Sequence, residues 1–154
     1  MSMPTKEWRI LMFELLDITK EEQDQFLKQA RRMLSSYRQL KKSYQLALPQ
    51  AHTQDYDNVS TSKGSRISHE NHELIRYLEL GEKVEKIEQA VERVENNDYI
   101  KNKYMIPDRL QQWQLADLSG YSTSGYNYKL RVVLFDFAVS YGIVDISQFS
   151  FKFN

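Results

Sequence analysis

His69 and His72 stand three residues apart, with Glu70 and Glu73 beside them. On a helix that spacing puts two imidazoles on one face, where they share a metal ion if a third ligand is supplied. No third ligand follows at a defined spacing, and His52 falls in a polar stretch, so exposed polar residues at a helix start are the reading adopted. Asp55 and Asp57 in QDYDN resemble a fragment of a calcium loop, but the glycine and distal glutamate that complete such a loop are missing. The absence of Cys excludes disulfides, Cys-ligated zinc and thiol catalysis. The sequence has no P-loop, no dinucleotide glycine fingerprint and no nucleophile elbow. No enzymatic activity, metal or cofactor is therefore expected.

The segment richest in recognition chemistry is DRLQQWQLADLSGYSTSGYNYKLRVVLFDFA, residues 108–138. Leu110, Trp113 (or Gln114), Leu115, Ala116 and Leu118 are spaced as the apolar face of a short helix over 108–118. Ser119-Gly120 stops it, and Ser122-Thr123-Ser124 offers N-cap residues for a second helix. The second helix has apolar positions at Tyr126, Leu130, Val133, Leu134, Phe137 and Ala138. A small residue at Ala116 allows the two helices to cross, and Gly120, four positions later, tolerates the positive φ of a tight turn. This is the logic of a helix-turn-helix. Ser122, Thr123, Ser124, Asn127 and Tyr128 are short polar or aromatic groups suited to base edges and phosphates, and Lys129 and Arg131 add charge.

Upstream, the elements that must position this segment are helical, in keeping with only 5 Gly and 3 Pro. Trp8, Leu11, Met12, Leu15 and Leu16 predict a first helix over 6–16. Thr19 and Glu22 have capping-box spacing and open a second helix over 20–47. Its seam is Phe26, Ala30, Met33, Tyr37, Leu40 and Tyr44, and Pro49 ends it. Residues 49–68 read as a polar loop. Ser68 caps a third helix over 69–96, with a seam of Tyr77, Leu80, Val84, Ile87, Val91 and Val94, weakened locally by Gly81. Asn96-Asn97-Asp98 stops it, a short helical segment covers 99–106, and Pro107-Asp108 starts the next helix. Two seams of similar length joined by a long loop predict an antiparallel hairpin.

With 21 Lys+Arg and 21 Asp+Glu the net charge is zero, but the sum is a cancellation. Residues 1–68 hold 11 basic against 8 acidic side chains, and residues 69–138 hold 9 against 12. Lys28, Arg31, Arg32, Arg38, Lys41 and Lys42 follow one another with no acid between them, whereas Glu79, Glu82, Glu85, Glu88, Glu92 and Glu95 dominate the third helix. The two faces either pair across the hairpin, each exposed pair contributing under ~1 kcal/mol, or leave the basic face to track a phosphate backbone.

The run LADLSGYSTSGYNYKLRVVLFDFAVSYG resembles the C-terminal part of the ArpU family of phage transcriptional regulators. ARRMLSSYRQL, the polar YDNVSTSKGSR and the Glu/Lys-rich helix before Pro107 match that family more loosely, so the likeness covers residues 28–142. Like the related RinA-type late-gene activators, the family ends in a helix-turn-helix similar to region 4 of sigma factors. The resemblance implies a DNA-binding protein in the cytoplasm of a bacterial host, of phage or prophage origin, that switches on late or lytic genes. The departure is charge: in the reading helix only Lys129 and Arg131 are basic.

The expectation is thus an all-α protein with a helical arm over 1–97, a helix-turn-helix domain over 98–142 and a tail over 143–154. In the tail Phe149, Phe151 and Phe153 alternate with polar residues, as in a strand that packs on its own chain or on a symmetry mate. Residues 122–134 would enter the major groove, braced by 108–118. Ser122, Thr123, Ser124, Asn127 and Tyr128 would read bases, and Lys101, Lys103, Arg109, Lys129 and Arg131 would face phosphates. The partner expected is double-stranded DNA, with host RNA polymerase and a homodimer as further partners and no membrane. The alternative is a helical interaction protein that dimerises or binds polymerase without reading bases.

Overall fold

The computed structural model describes residues 16–57 and 64–151, leaving aside the side chains of 48–57 and 64–71. The protein is all-α, and among the described residues the only β pairing is a single bridge. The helices are α1 (Lys20–Ser35), α2 (Tyr37–Asp57), α3 (Gly64–Glu92), a single turn α4 (Asp98–Ile100) continued by a π-helical turn (Lys101–Met105), α5 (Gln112–Ser119) and α6 (Thr123–Tyr141). A 3-10 turn, Ile146–Gln148, follows. The expected helix over 6–16 lies outside the described residues, except that Leu16 is extended and bridged to Phe151.

Local chemistry accounts for most element ends. Thr19 Oγ1 accepts from the Glu22 amide at 3.1 Å, and Glu22 Oε1 accepts from the Thr19 amide at 3.2 Å, which starts α1. The helix expected over 20–47 is divided at Ser36, whose hydroxyl donates to the Met33 carbonyl at 2.6 Å; a side chain that bonds back into the ladder in this way bends a helix. Pro49 does not end α2, which runs on to Asp57, and α3 begins at Gly64 rather than near Ser68. Most of the loop expected over 49–68 is therefore helical. Polar composition does not forbid a helix when Gln, Ala and His fill it, and the proline penalty of ~3 kcal/mol is a cost rather than a prohibition.

After α3, Asn96 adopts a left-handed φ of 58° and Asn97 Nδ2 donates to the Val91 carbonyl at 3.0 Å. The Ile106 amide then bonds to the Lys101 carbonyl at 3.0 Å, closing the π turn. Pro107 holds Ile106 extended (φ −69°, ψ 152°) and ends the segment. Pro107 and Asp108 do not start α5, which begins four residues later at Gln112; the Gln114 side chain accepts from the Gln111 amide at 2.8 Å there.

α2 and α3 lie side by side with Tyr37 and Lys41 opposite Glu88 and Tyr44 opposite Tyr77, so they run in opposite directions. α1 and the C-terminal half of α3 both pack on α6. One buried cluster joins Leu27, Ala30 and Leu34 of α1, Val84, Ile87 and Val91 of α3, Ile100, Tyr104, Leu115, Ala116 and seven residues of α6 between Tyr126 and Ala138. It runs across the boundary expected between residues 97 and 98. Each fully buried Leu, Ile or Phe in it contributes roughly 1.5–3 kcal/mol relative to exposure. The tail folds back on its own chain: Phe149 meets Phe26 edge-on at 5.9 Å, and the Asp17 amide donates to the Ser150 carbonyl at 2.6 Å. Phe153 lies outside the described residues. Among the described residues no helix is long and apolar enough to cross a membrane.

Candidate nucleic-acid interface

Two helices joined by a three-residue turn build the candidate site. Leu115 and Ala116 of α5 are buried, against Tyr126 and Leu130 of α6 in the same cluster. Gly120 closes α5 at φ 78°, and no neighbouring atom would touch a Cβ there, so it is the backbone conformation that calls for glycine. The Ser119 hydroxyl donates to the Ala116 carbonyl at 2.6 Å and accepts from the Tyr121 amide at 3.3 Å, which ties the turn to the helix it leaves. Ser122 caps α6 by accepting the Gly125 amide at 3.3 Å. Gln112 Nε2 donates to Asn127 Oδ1 at 2.8 Å and couples the exposed sides of the two helices.

All six expected apolar positions of α6 are buried. Val132 and Phe135 are buried as well, so most residues from 130 to 138 are buried. Within the expected stretch 122–134 the exposed residues are therefore concentrated in the first two turns of α6. Ser122, Thr123, Ser124, Asn127 and Tyr128 are exposed there, and Lys129 is half-exposed with its ammonium 5.7 Å over the Tyr121 ring. The open amides at the start of α6 add a donor surface for a phosphate oxygen.

The remaining cations expected at the site lie outside the exposed first turns of α6. Arg131 turns to α1, where it donates to Gln23 at 2.8 Å and lies 3.7 Å from Asp24. Lys101 pairs with Glu92 at 2.8 Å. Lys103 sits 5.6 Å over the Tyr104 ring, and burial together with Arg31 nearby holds its ammonium below the usual lysine range. Arg109 is exposed before α5, close enough to Arg38 to lower that guanidinium, though burial lowers it more.

Two residues read as core are not core: Trp113 is 64% exposed and Leu118 65%, while Gln114 is half-buried. α5 is only eight residues long, so the direction of its apolar face rests on very few positions. Below it, Tyr126 stacks on Tyr99 at 5.7 Å, and its buried hydroxyl has no hydrogen-bond partner among the described residues. Burial pushes that phenol up to about 12, with Tyr104 and Tyr99 adding to the shift.

His72 is exposed, and the side chains of His52, Asp55, Asp57 and His69 lie outside those described. Among the described residues no three His, Asp or Glu are grouped to hold a metal. No protein family, curated protein or solved structure matches this chain.

Proposed function

We propose that α5, the Gly120 turn and α6 act as a helix-turn-helix, and that the chain is a sequence-specific binder of double-stranded DNA that regulates transcription. α2 and α3 form its long-helix hairpin. The observation that carries this reading is the free first two turns of α6: five exposed hydroxyl, amide and phenol groups, Ser122 to Tyr128, directly follow a left-handed glycine turn on a buried helix stem. Groups of that size at a helix N-terminus reach base edges in a major groove, and the stem resists displacement because it is core. The resemblance of residues 28–142 to phage regulators supports the same function and adds the role of late or lytic gene activator.

Selection of bound sequences from a random duplex pool tests this. An enriched motif is expected, lost on replacing Thr123, Ser124 and Asn127 by Ala while the helical circular dichroism signal stays unchanged. A pool that shows no enrichment overturns base reading.

A second reading is favoured by the exposed Trp113 and Leu118: large apolar side chains left open on α5 suit a protein partner such as RNA polymerase, or a second copy. Light scattering with and without duplex separates the two, since a helical interaction protein changes mass with no DNA present.

A further inference from the structure

The zero net charge hides two runs of the chain in which acids are nearly absent. Residues 25–45 contain six basic side chains and no carboxylate; residues 101–109 contain three basic side chains and only Asp108. Some seventy residues separate these runs in the chain, and the fold joins them. The π turn packs on both α1 and α2. Arg38 Nε donates to the Ile106 carbonyl at 2.7 Å, and its Nη2 donates to the Lys103 carbonyl at 3.0 Å, which clamps the turn to the start of α2.

Around that clamp Arg31 is near enough to Lys103, and Arg109 to Arg38, for each charge to be felt by the other. Of the nine cations, Lys41 is engaged by Glu88 and Lys101 by Glu92. Arg31 and Arg109 are exposed and carry no ion pair among the described residues. Four like charges gathered from four segments repel one another, and nothing in the packing of the core requires Arg31 or Arg109 to be basic. A concentration of that kind is relieved by an anion with repeated charges.

We infer that Arg31, Lys103 and Arg109, gathered around the Arg38 clamp, form a docking surface for the phosphate backbone of duplex DNA, flanking the segment read by α6. The choice of duplex rests on the helix-turn-helix reading. Arg109 lies three residues before Gln112, and Gln112 is hydrogen-bonded to Asn127 on the proposed reading face, so the cationic surface ends beside the start of α5. In a helix-turn-helix the first helix crosses the DNA backbone. Guanidinium groups suit phosphate because they present paired donors in a plane. The surface supplies the charge that the reading helix lacks.

The test uses the full chain, a mixed-sequence 25-base-pair duplex and fluorescence anisotropy over a range of KCl concentration. Arg31 and Arg109 are chosen for substitution because both are exposed and neither is held by the fold. The double variant R31Q/R109Q is expected to lose about two from the slope of log affinity against log salt, because each lost phosphate contact removes about one, with the circular dichroism spectrum unchanged. Replacement of Ser124 and Asn127 by Ala is expected to leave that slope as it is.

An unchanged slope and affinity in R31Q/R109Q overturns the proposal, and so does failure of the natural chain to bind the duplex at low salt. Tighter binding of single-stranded RNA or of a poly-glutamate peptide than of duplex also overturns it. The two readings fail separately. If R31Q/R109Q loses slope while the pool selection yields no motif, the phosphate surface stands and base reading falls. If the motif is enriched and the slope does not move, base reading stands and this surface falls.

Discussion

Arg131 Nη2 donates to Gln23 Oε1 at 2.8 Å, and the same guanidinium lies 3.7 Å from Asp24. α6 thereby turns one of its two N-terminal basic residues onto α1 and leaves Lys129 on the open side. Arg131→Ala is expected to lower stability by about 1 kcal/mol, the scale of one partly exposed charged hydrogen bond. Duplex affinity should change by less than about twofold. Lys129→Glu should do the reverse, lowering duplex affinity while the urea midpoint holds. Urea denaturation and anisotropy on the two variants check this, and a large loss of DNA affinity in Arg131→Ala would contradict the placement.

Gly81→Ala should destabilise the protein even though alanine is the better helix former by ~1 kcal/mol. A Cβ at residue 81 would lie 2.8 Å from Tyr44 Cε1 and 3.1 Å from Cζ. That ring is stacked on Tyr77 at 4.9 Å and 21°, so it cannot retreat without giving up the stack. A net loss of about 1–3 kcal/mol is expected in thermal melts. Combining the change with Tyr44→Ala should remove the clash and let the propensity gain show.

Glu88 lies between α2 and α3 with two donors, the Tyr37 hydroxyl and Lys41 Nζ at 2.9 Å. Burial alone would raise its carboxyl, but these two donors and the Lys41 charge outweigh burial and bring it below the ordinary 4.5. A carboxyl depressed in the folded state contributes stability that is present above its unfolded pKa and is lost as pH falls through the folded value. The urea midpoint should therefore fall as pH drops below about 4.5. Glu88→Gln should flatten that acid limb, and an identical limb in the variant would show that Glu88 contributes nothing to it.

Tyr126→Phe should be neutral or stabilising. The ring is 1% exposed, and its hydroxyl is buried without a partner among the described residues. An unsatisfied buried hydroxyl costs roughly 1–3 kcal/mol, and removing it leaves the stack on Tyr99 intact. Thermal melts decide; a drop of several degrees would mean that the hydroxyl is satisfied in solution.

Gly120→Ala should cost about 1 kcal/mol through the backbone alone, since φ is 78° and the space around it is open. Gly120→Asn should cost less, because asparagine tolerates the left-handed region better. Equal stability of all three forms would show that the left-handed φ does not select glycine at this turn.

Much of the candidate site is legible in the chain because its determinants are local. The Thr19–Glu22 box, the Ser122 cap, the Gly120 turn and the buried stripe from Tyr126 to Ala138 each depend on neighbours within one or two helical turns, and those spacings are written in the sequence. Pro49 and the polar stretch after it lie in a helix that the chain does not announce, because polarity and a single proline disfavour a helix without stopping it.

The sequence by itself determined the helical class, the helix starts at Thr19 and Ser122, and a charge balance made of opposed runs. The tertiary structure decided where the charges go. Arg131 is taken by α1, Lys101 by α3, and Arg31, Arg38, Lys103 and Arg109 gather from segments some seventy residues apart. It also gave Gly81 its reason, in a Tyr44 ring thirty-seven positions away. The physical cause is the range of the forces: caps and periodicity act over one or two turns, whereas the partner of a long charged side chain is whichever group the packing brings beside it.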